Sequence, residues 1–143
     1  MIASSIARWL SIALVAAAAE GCASAPARFY TLASTATAER TPAAQVGVIV
    51  GPVSVPGSVD RSEFVVQVAP NRLEIDEFNR WAAPLGESIA RTVAGDLATL
   101  LGTPDVATAP FANFDPDYRV TIDVQRFDSV QGESALVEAV WAV

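Results

Sequence analysis

The chain has 143 residues, 52% of them hydrophobic but only 8% aromatic, a length that accommodates one compact core and not two. Sixteen acidic residues against nine arginines, with no lysine, give a net charge of −7, the wrong sign for binding a phosphate backbone. The absence of histidine and the single cysteine exclude Ser-His-Asp and Cys-His catalysis, histidine-bearing zinc sites, an internal disulfide and paired-cysteine metal knuckles.

At the N-terminus, Arg8 precedes an uncharged run from Trp9 to Ala19. The run is shorter than the roughly 20 residues of a membrane-spanning helix. With small residues behind it, it matches a secretory signal peptide. Gly21-Cys22-Ala23-Ser24 resembles a bacterial lipobox, with Ala19 and Glu20 where leucine and a small residue are usual. Residues 1–21 are therefore expected to be a lipoprotein signal peptide, and Cys22 the acylated first residue of the mature chain. The alternatives are ordinary cleavage near Ala23 or Ala25, which discards Cys22, and a buried free thiol, which is unusual outside the cytoplasm. A multiply acylated cysteine anchors firmly, at about 0.8 kcal/mol per buried CH₂. Ala23, rather than aspartate, behind the cysteine favours outer-membrane sorting.

Residues 22–44 are mostly Ala, Ser, Thr and Pro, the composition of a flexible tether, interrupted by a possible edge strand over 28–32. A folded domain is expected over 45–143. Val46 to Val55 predicts a strand ending at the Pro56-Gly57 turn, and Phe64 to Val68 a second. The turn Ala69 to Arg72 leads into a returning arm, Leu73 to Asp76. Pro84 then opens a helix whose apolar residues Leu85, Ile89, Val93 and Leu97 recur every four positions. Gly102 is its expected C-cap and Pro104 forbids continuation. Glu87 and Arg91 are spaced for a solvent-side pair. The stripe is expected to face the core, with a partner surface as the alternative. Val106 to Ala109, Tyr118 to Gln125 and Ala135 to Val143 follow as strands, with a turn at Gln131-Gly132. The fold class is α/β, a single mixed sheet with one amphipathic helix packed on it. The chain stops inside an apolar strand at Trp141-Ala142-Val143, which leads us to expect C-terminal truncation and a missing second helix.

Candidate chemistry is sparse. Glu74, Asp76 and Glu77 beside Arg72 and Arg80 form a conceivable acid/base cluster, but a solvated strand face explains them more simply. Asp115-Pro116-Asp117 lacks the other ligands of a calcium loop. No phosphate-binding glycine motif occurs, and serines such as Ser88 have no base to activate them. No catalytic residue, cofactor or metal site is expected. Asn79, Arg80 and Trp81, just ahead of the helix, are a candidate partner contact because Trp and Arg are enriched at recognition surfaces. The competing reading makes Trp81 a core or staple residue.

The Cys22 lipobox, Phe29-Tyr30-Thr31-Leu32, Val53-Ser54-Val55-Pro56, Asn79-x-Trp81-Ala82-x-Pro84-Leu85 with its helix, and Val120-Thr121-Ile122-Asp123-Val124-x-x-Phe127 are together familiar. They resemble the ABC-type transport auxiliary lipoprotein family, most closely its PqiC-type members, which usually continue with a further strand and a C-terminal helix. The resemblance implies a non-enzymatic lipoprotein on the periplasmic face of the outer membrane. Its implied partners are a PqiB-type MCE-domain periplasmic protein, inner-membrane transporter subunits and, in many systems, an ABC ATPase, with homo-oligomerisation left open. Docking a lipid conduit to the outer membrane is the implied role. A lipid-binding periplasmic shuttle is the rival reading, disfavoured because no large-side-chain cavity lining is evident. An envelope hydrolase built on the acidic cluster is the second rival.

Overall fold

The computed structural model describes residues 25–38 and 43–143, so the expected signal peptide and Cys22 lie outside the described residues. The strands are β1 (Arg28–Tyr30), β2 (Val48–Ser54), β3 (Glu63–Ala69), β4 (Arg72–Trp81), β5 (Val106–Ala107), β6 (Tyr118–Val130) and β7 (Ser134–Ala142). Helix α1 (Leu85–Leu101) lies between β4 and β5. The order of elements is the expected one, and they build a single mixed sheet in the order β1-β4-β3-β6-β2-β5, with β7 added on β6.

Two hairpins, β3–β4 and β6–β7, supply the antiparallel pairs, while β1 on β4, β2 on β6 and β2 on β5 are parallel. β6 is the spine. Its first half pairs with β2, its last residue Val130 meets Gln67 of β3, and β7 pairs along it from Thr121 to Val130. Because side chains alternate along a strand, Val120, Ile122 and Val124 share the face that α1 covers.

The helix begins and ends where its sequence signals stand. Ser88 N–H donates to the Pro84 carbonyl at 3.0 Å, and Gly102 ends the helix in the left-handed conformation at φ 64°. A side chain at that angle is strained, whereas glycine is not. The core forms where Ala90 and Ala94 of α1 meet Val48 and Val50 of β2. Their small side chains bring the helix close to the sheet, and Leu85 at the start of α1 is only 1% exposed.

Here the structure refines the helical-stripe expectation. Leu85 is buried, but Ile89, Val93 and Leu97 are only half-buried, because the alanine flank takes the contact with β2. Glu87 and Arg91 are not among the ion pairs that form among the described residues, which are Arg72–Glu74, Arg80–Glu63 and Arg126 with both Asp128 and Glu138. The fourth strand also runs further than its alternation indicates. β4 continues past Asp76 to Trp81 through a bulge, where pairing on β3 jumps from Arg80↔Glu63 to Asp76↔Phe64. Asp76 stabilises the bulge by accepting from the backbone N–H groups of Phe78 and Asn79 at 3.0 and 3.1 Å.

The stretch whose composition indicates a tether is in part docked. β1 lies parallel along the end of β4, and Ala82 N–H donates to the Tyr30 carbonyl at 2.9 Å. Beyond it, Ser34 Oγ–H and the N–H groups of Thr35 and Ala36 all donate to Asp96 Oδ1 on α1, at 2.6, 3.0 and 2.9 Å. Ala44 N–H then donates to the Leu101 carbonyl at 2.8 Å, at the end of the helix. Gly95 permits the close crossing, since a Cβ there would stand 3.2 Å from Ser34 Cβ.

Candidate functional site

Asn79, Arg80 and Trp81 occupy the last three positions of β4, directly opposite Arg28, Phe29 and Tyr30 of β1. Alternation turns Trp81 and Tyr30 to the face of Phe64, and the rings form a continuous row. Tyr30 and Phe64 are 4.9 Å apart, Phe64 and Trp81 4.5 Å, and Trp81 meets Phe127 of β6 edge-on at 6.1 Å. Such pairs add roughly 0.5–1.5 kcal/mol each beyond the area they bury. Trp81 therefore welds three strands together, while its half-burial leaves part of it accessible.

Its two neighbours are held within the chain. Asn79 Nδ2–H donates to Asp76 Oδ2 at 2.6 Å, and Asn79 Oδ1 accepts from the Tyr30 hydroxyl at 3.0 Å. Arg80 Nε–H donates to the Glu77 carbonyl at 2.8 Å and its guanidinium stands 3.6 Å from Glu63. The structure thus brings the three predicted residues together and ties them to β1.

In the acidic cluster, Asp76 is tied to its neighbours in β4. The Asn79 side-chain amide, together with the Asn79 backbone N–H, holds the Asp76 carboxyl below the usual carboxylate range. A carboxyl kept ionised in this way accepts hydrogen bonds and has no proton to give at neutral pH, whereas a general acid needs its pKa raised. Glu74 is engaged by Arg72 at 2.7 Å. Among the described residues, no group of three or more His, Cys, Asp or Glu is arranged to hold a metal ion. No described helix is long and apolar enough to cross a membrane.

One apolar feature is absent from the sequence reading. An open groove of about 600 Å³ runs between α1 and the β6–β7 hairpin. Ile89, Val93 and Leu97 form one wall, Ile122, Val124 and Phe127 the floor, Val137, Ala139 and Trp141 the far side, and Leu32 closes one part of the rim. The far side is highly exposed, with Trp141 at 70%. This corrects the expectation that no cavity with large lining side chains would be found. The signal was present as three stripes of apolar residues at helical or alternate spacing. Their convergence follows only from the registers Ile122↔Trp141 and Phe127↔Val137.

Solved structures share this fold. A crystal structure of a Xanthomonas campestris protein of the DUF330 family is 21% identical, with a TM-score of 0.62 over 78% of this chain and 64% of that one. A second crystal structure, of an uncharacterized protein, is 18% identical with a TM-score of 0.58, covering 82% of this chain and 79% of the other. This chain thus spans less than two thirds of the Xanthomonas protein. No curated protein matches it. The family model described as ABC-type transport auxiliary lipoprotein component matches residues 30–143, from the row of rings in β1 to the last residue of the groove, and the chain belongs to that family.

Proposed function

We propose that this protein is a PqiC-type accessory subunit of an MCE-type lipid transport system, anchored to the periplasmic face of the outer membrane by acyl chains on Cys22. In this reading it docks the periplasmic lipid conduit to the outer membrane and supports envelope integrity. Energy comes from another subunit, so this chain carries no nucleotide site. The observation that carries the reading is the family match across the whole described domain, in a chain whose N-terminus has the pattern of a lipobox. Family membership is in a transport auxiliary component rather than an enzyme, and the depressed pKa of Asp76 fits a structural carboxylate.

Intact-mass analysis of the protein from detergent-solubilised outer membrane tests the anchor. The expected mass is that of an acylated chain beginning at Cys22, lost in Cys22→Ser; an unmodified soluble product overturns it. The partner contact is assigned to the β4 end, at Asn79, Arg80 and Trp81. Arg80→Glu is expected to weaken pull-down of a PqiB-type MCE protein, and unchanged capture removes this surface from consideration.

The groove favours a second reading, a lipid-binding periplasmic shuttle. An open trough of about 600 Å³ lined by aliphatic and aromatic side chains suits an acyl chain. A lipid recovered by mass spectrometry from the purified protein, and lost in Val93→Asp, supports that reading. A lipid-free protein in both preparations sinks it.

A further inference from the structure

We infer that the β1 edge, with Arg28 and Phe29 at its exposed rim, is the face this domain lays against the lipid leaflet. The inference rests on the proposed acylation of Cys22 and deepens it, because chain length decides how far the domain can stand from its anchor. If residues 22–44 were free, the anchor would be separated from β2 by about 80 Å of extended chain. The structure removes nearly all of that reach. β1 is fastened to β4 at Arg28↔Asn79, Phe29↔Arg80 and Tyr30↔Trp81. Five residues then separate Cys22 from Arg28, six Cα–Cα steps that span no more than about 20 Å however they are arranged.

A second fastening prevents the strap from peeling back. Asp96 Oδ1 accepts three hydrogen bonds from Ser34, Thr35 and Ala36, and charge-assisted bonds of this kind are the strong ones. Gly95 lets Ser34 lie close against the helix. With both points held, β1 is the part of the sheet nearest the membrane. β5 is the strand at the other end of the pairing order.

The chemistry of the rim suits a lipid interface. Phe29 is 66% exposed, an aromatic ring with no core to fill, and interfacial aromatic residues settle at headgroup level. Arg28 beside it offers a guanidinium to lipid phosphates, in a chain with few cations. The surface is small, and the acyl chains supply the binding strength.

Depth-dependent quenching tests this on the full acylated chain in vesicles of phosphatidylethanolamine and phosphatidylglycerol. With Cys22 acylated, an introduced cysteine is the only free thiol, so Phe29→Cys and, separately, Thr108→Cys beside β5 are labelled with an environment-sensitive dye. Nitroxide lipids are expected to quench the dye at position 29 at least about threefold more than at 108. Arg28→Cys supplies a second label site on the same strand and is expected to behave as position 29 does. Equal quenching at the two edges, or stronger quenching at 108, overturns the inference while leaving the anchor intact. A chain that fails to float with the vesicles at all overturns the anchor instead. Combined Asp96→Ala and Ser34→Ala is expected to speed hydrogen exchange at Thr35 and Ala36 by at least about tenfold. Rates in the parent chain already equal to free-peptide values overturn the second fastening.

Discussion

The two flanks of α1 meet apolar sheet surface on both sides, yet only one becomes core. Toward β2, Ala90 and Ala94 let the backbones approach, and Val48 and Val50 are buried. Toward β6 and β7, the larger Ile89, Val93 and Leu97 line an open groove whose far side carries Trp141. The sealed flank carries small side chains and the open one larger ones, although both are apolar. Close-packed interiors reward contact and not mere greasiness.

The largest expected effect lies at the start of α1, where Leu85 is buried. Leu85→Ala removes a side chain that is 1% exposed and is expected to cost about 2–5 kcal/mol in urea unfolding. Trp141→Ala, on a residue 70% exposed, is expected to change stability by less than about 1 kcal/mol while reducing uptake of an apolar fluorescent probe. Equal destabilisation by the two substitutions breaks the comparison, because the groove wall would then be core as well.

A pH titration sharpens the picture at the strap. The Ser34 hydroxyl, with the N–H groups of Ala36 and Thr35, holds the Asp96 carboxyl below the usual carboxylate range. A carboxyl whose folded pKa is depressed stabilises the folded state at pH values above its unfolded pKa, about 4, and loses that contribution as pH falls through the lower folded value. Docking of residues 34–36 is therefore expected to be complete at neutral pH and to loosen only in acid below about pH 4. NMR chemical shifts of Thr35 and Ala36 check this. In Asp96→Asn the same shifts are expected to show no acid transition, and a transition that persists there assigns it to another group. Asp76 and Glu63 are depressed in the same direction, by Asn79 for the first and by the backbone N–H of Glu63 itself, with Ser62, for the second.

The smallest effect is expected at Arg126. It bridges Asp128 at 2.6 Å and Glu138 at 3.2 Å across β6–β7, but its side chain is 51% exposed. Solvent screens such pairs. Arg126→Gln is expected to leave the urea midpoint nearly unchanged, and a large loss would show that the β6–β7 hairpin depends on this charge network.

Legibility differed between elements for physical reasons. α1 was legible to its ends because Pro84, the four-residue stripe and Gly102 act locally, through backbone geometry that needs no partner. The β3–β4 hairpin was legible at its turn but not at its far end. There the polar run Asp76 to Asn79 breaks alternation, and the strand continues only because β3 on one side and β1 on the other supply its hydrogen bonds. The candidate contact at Asn79, Arg80 and Trp81 was visible as residue types. Its attachment to β1 through Tyr30 spans 49 positions in sequence and left no local trace.

Composition, the absence of histidine, the lipobox-like N-terminus, the order of strands and helix, and the helix boundaries were determined by the sequence alone, since each depends on residues within a few positions of one another. Three outcomes were decided by the tertiary structure. Residues 34–36 found their acceptor on Asp96 some 60 positions away, Trp81 found its aromatic neighbours on two other strands, and three apolar stripes converged into one groove. Each of these is a pairing between distant segments, fixed by strand register and by how closely the alanines of α1 let the helix approach β2.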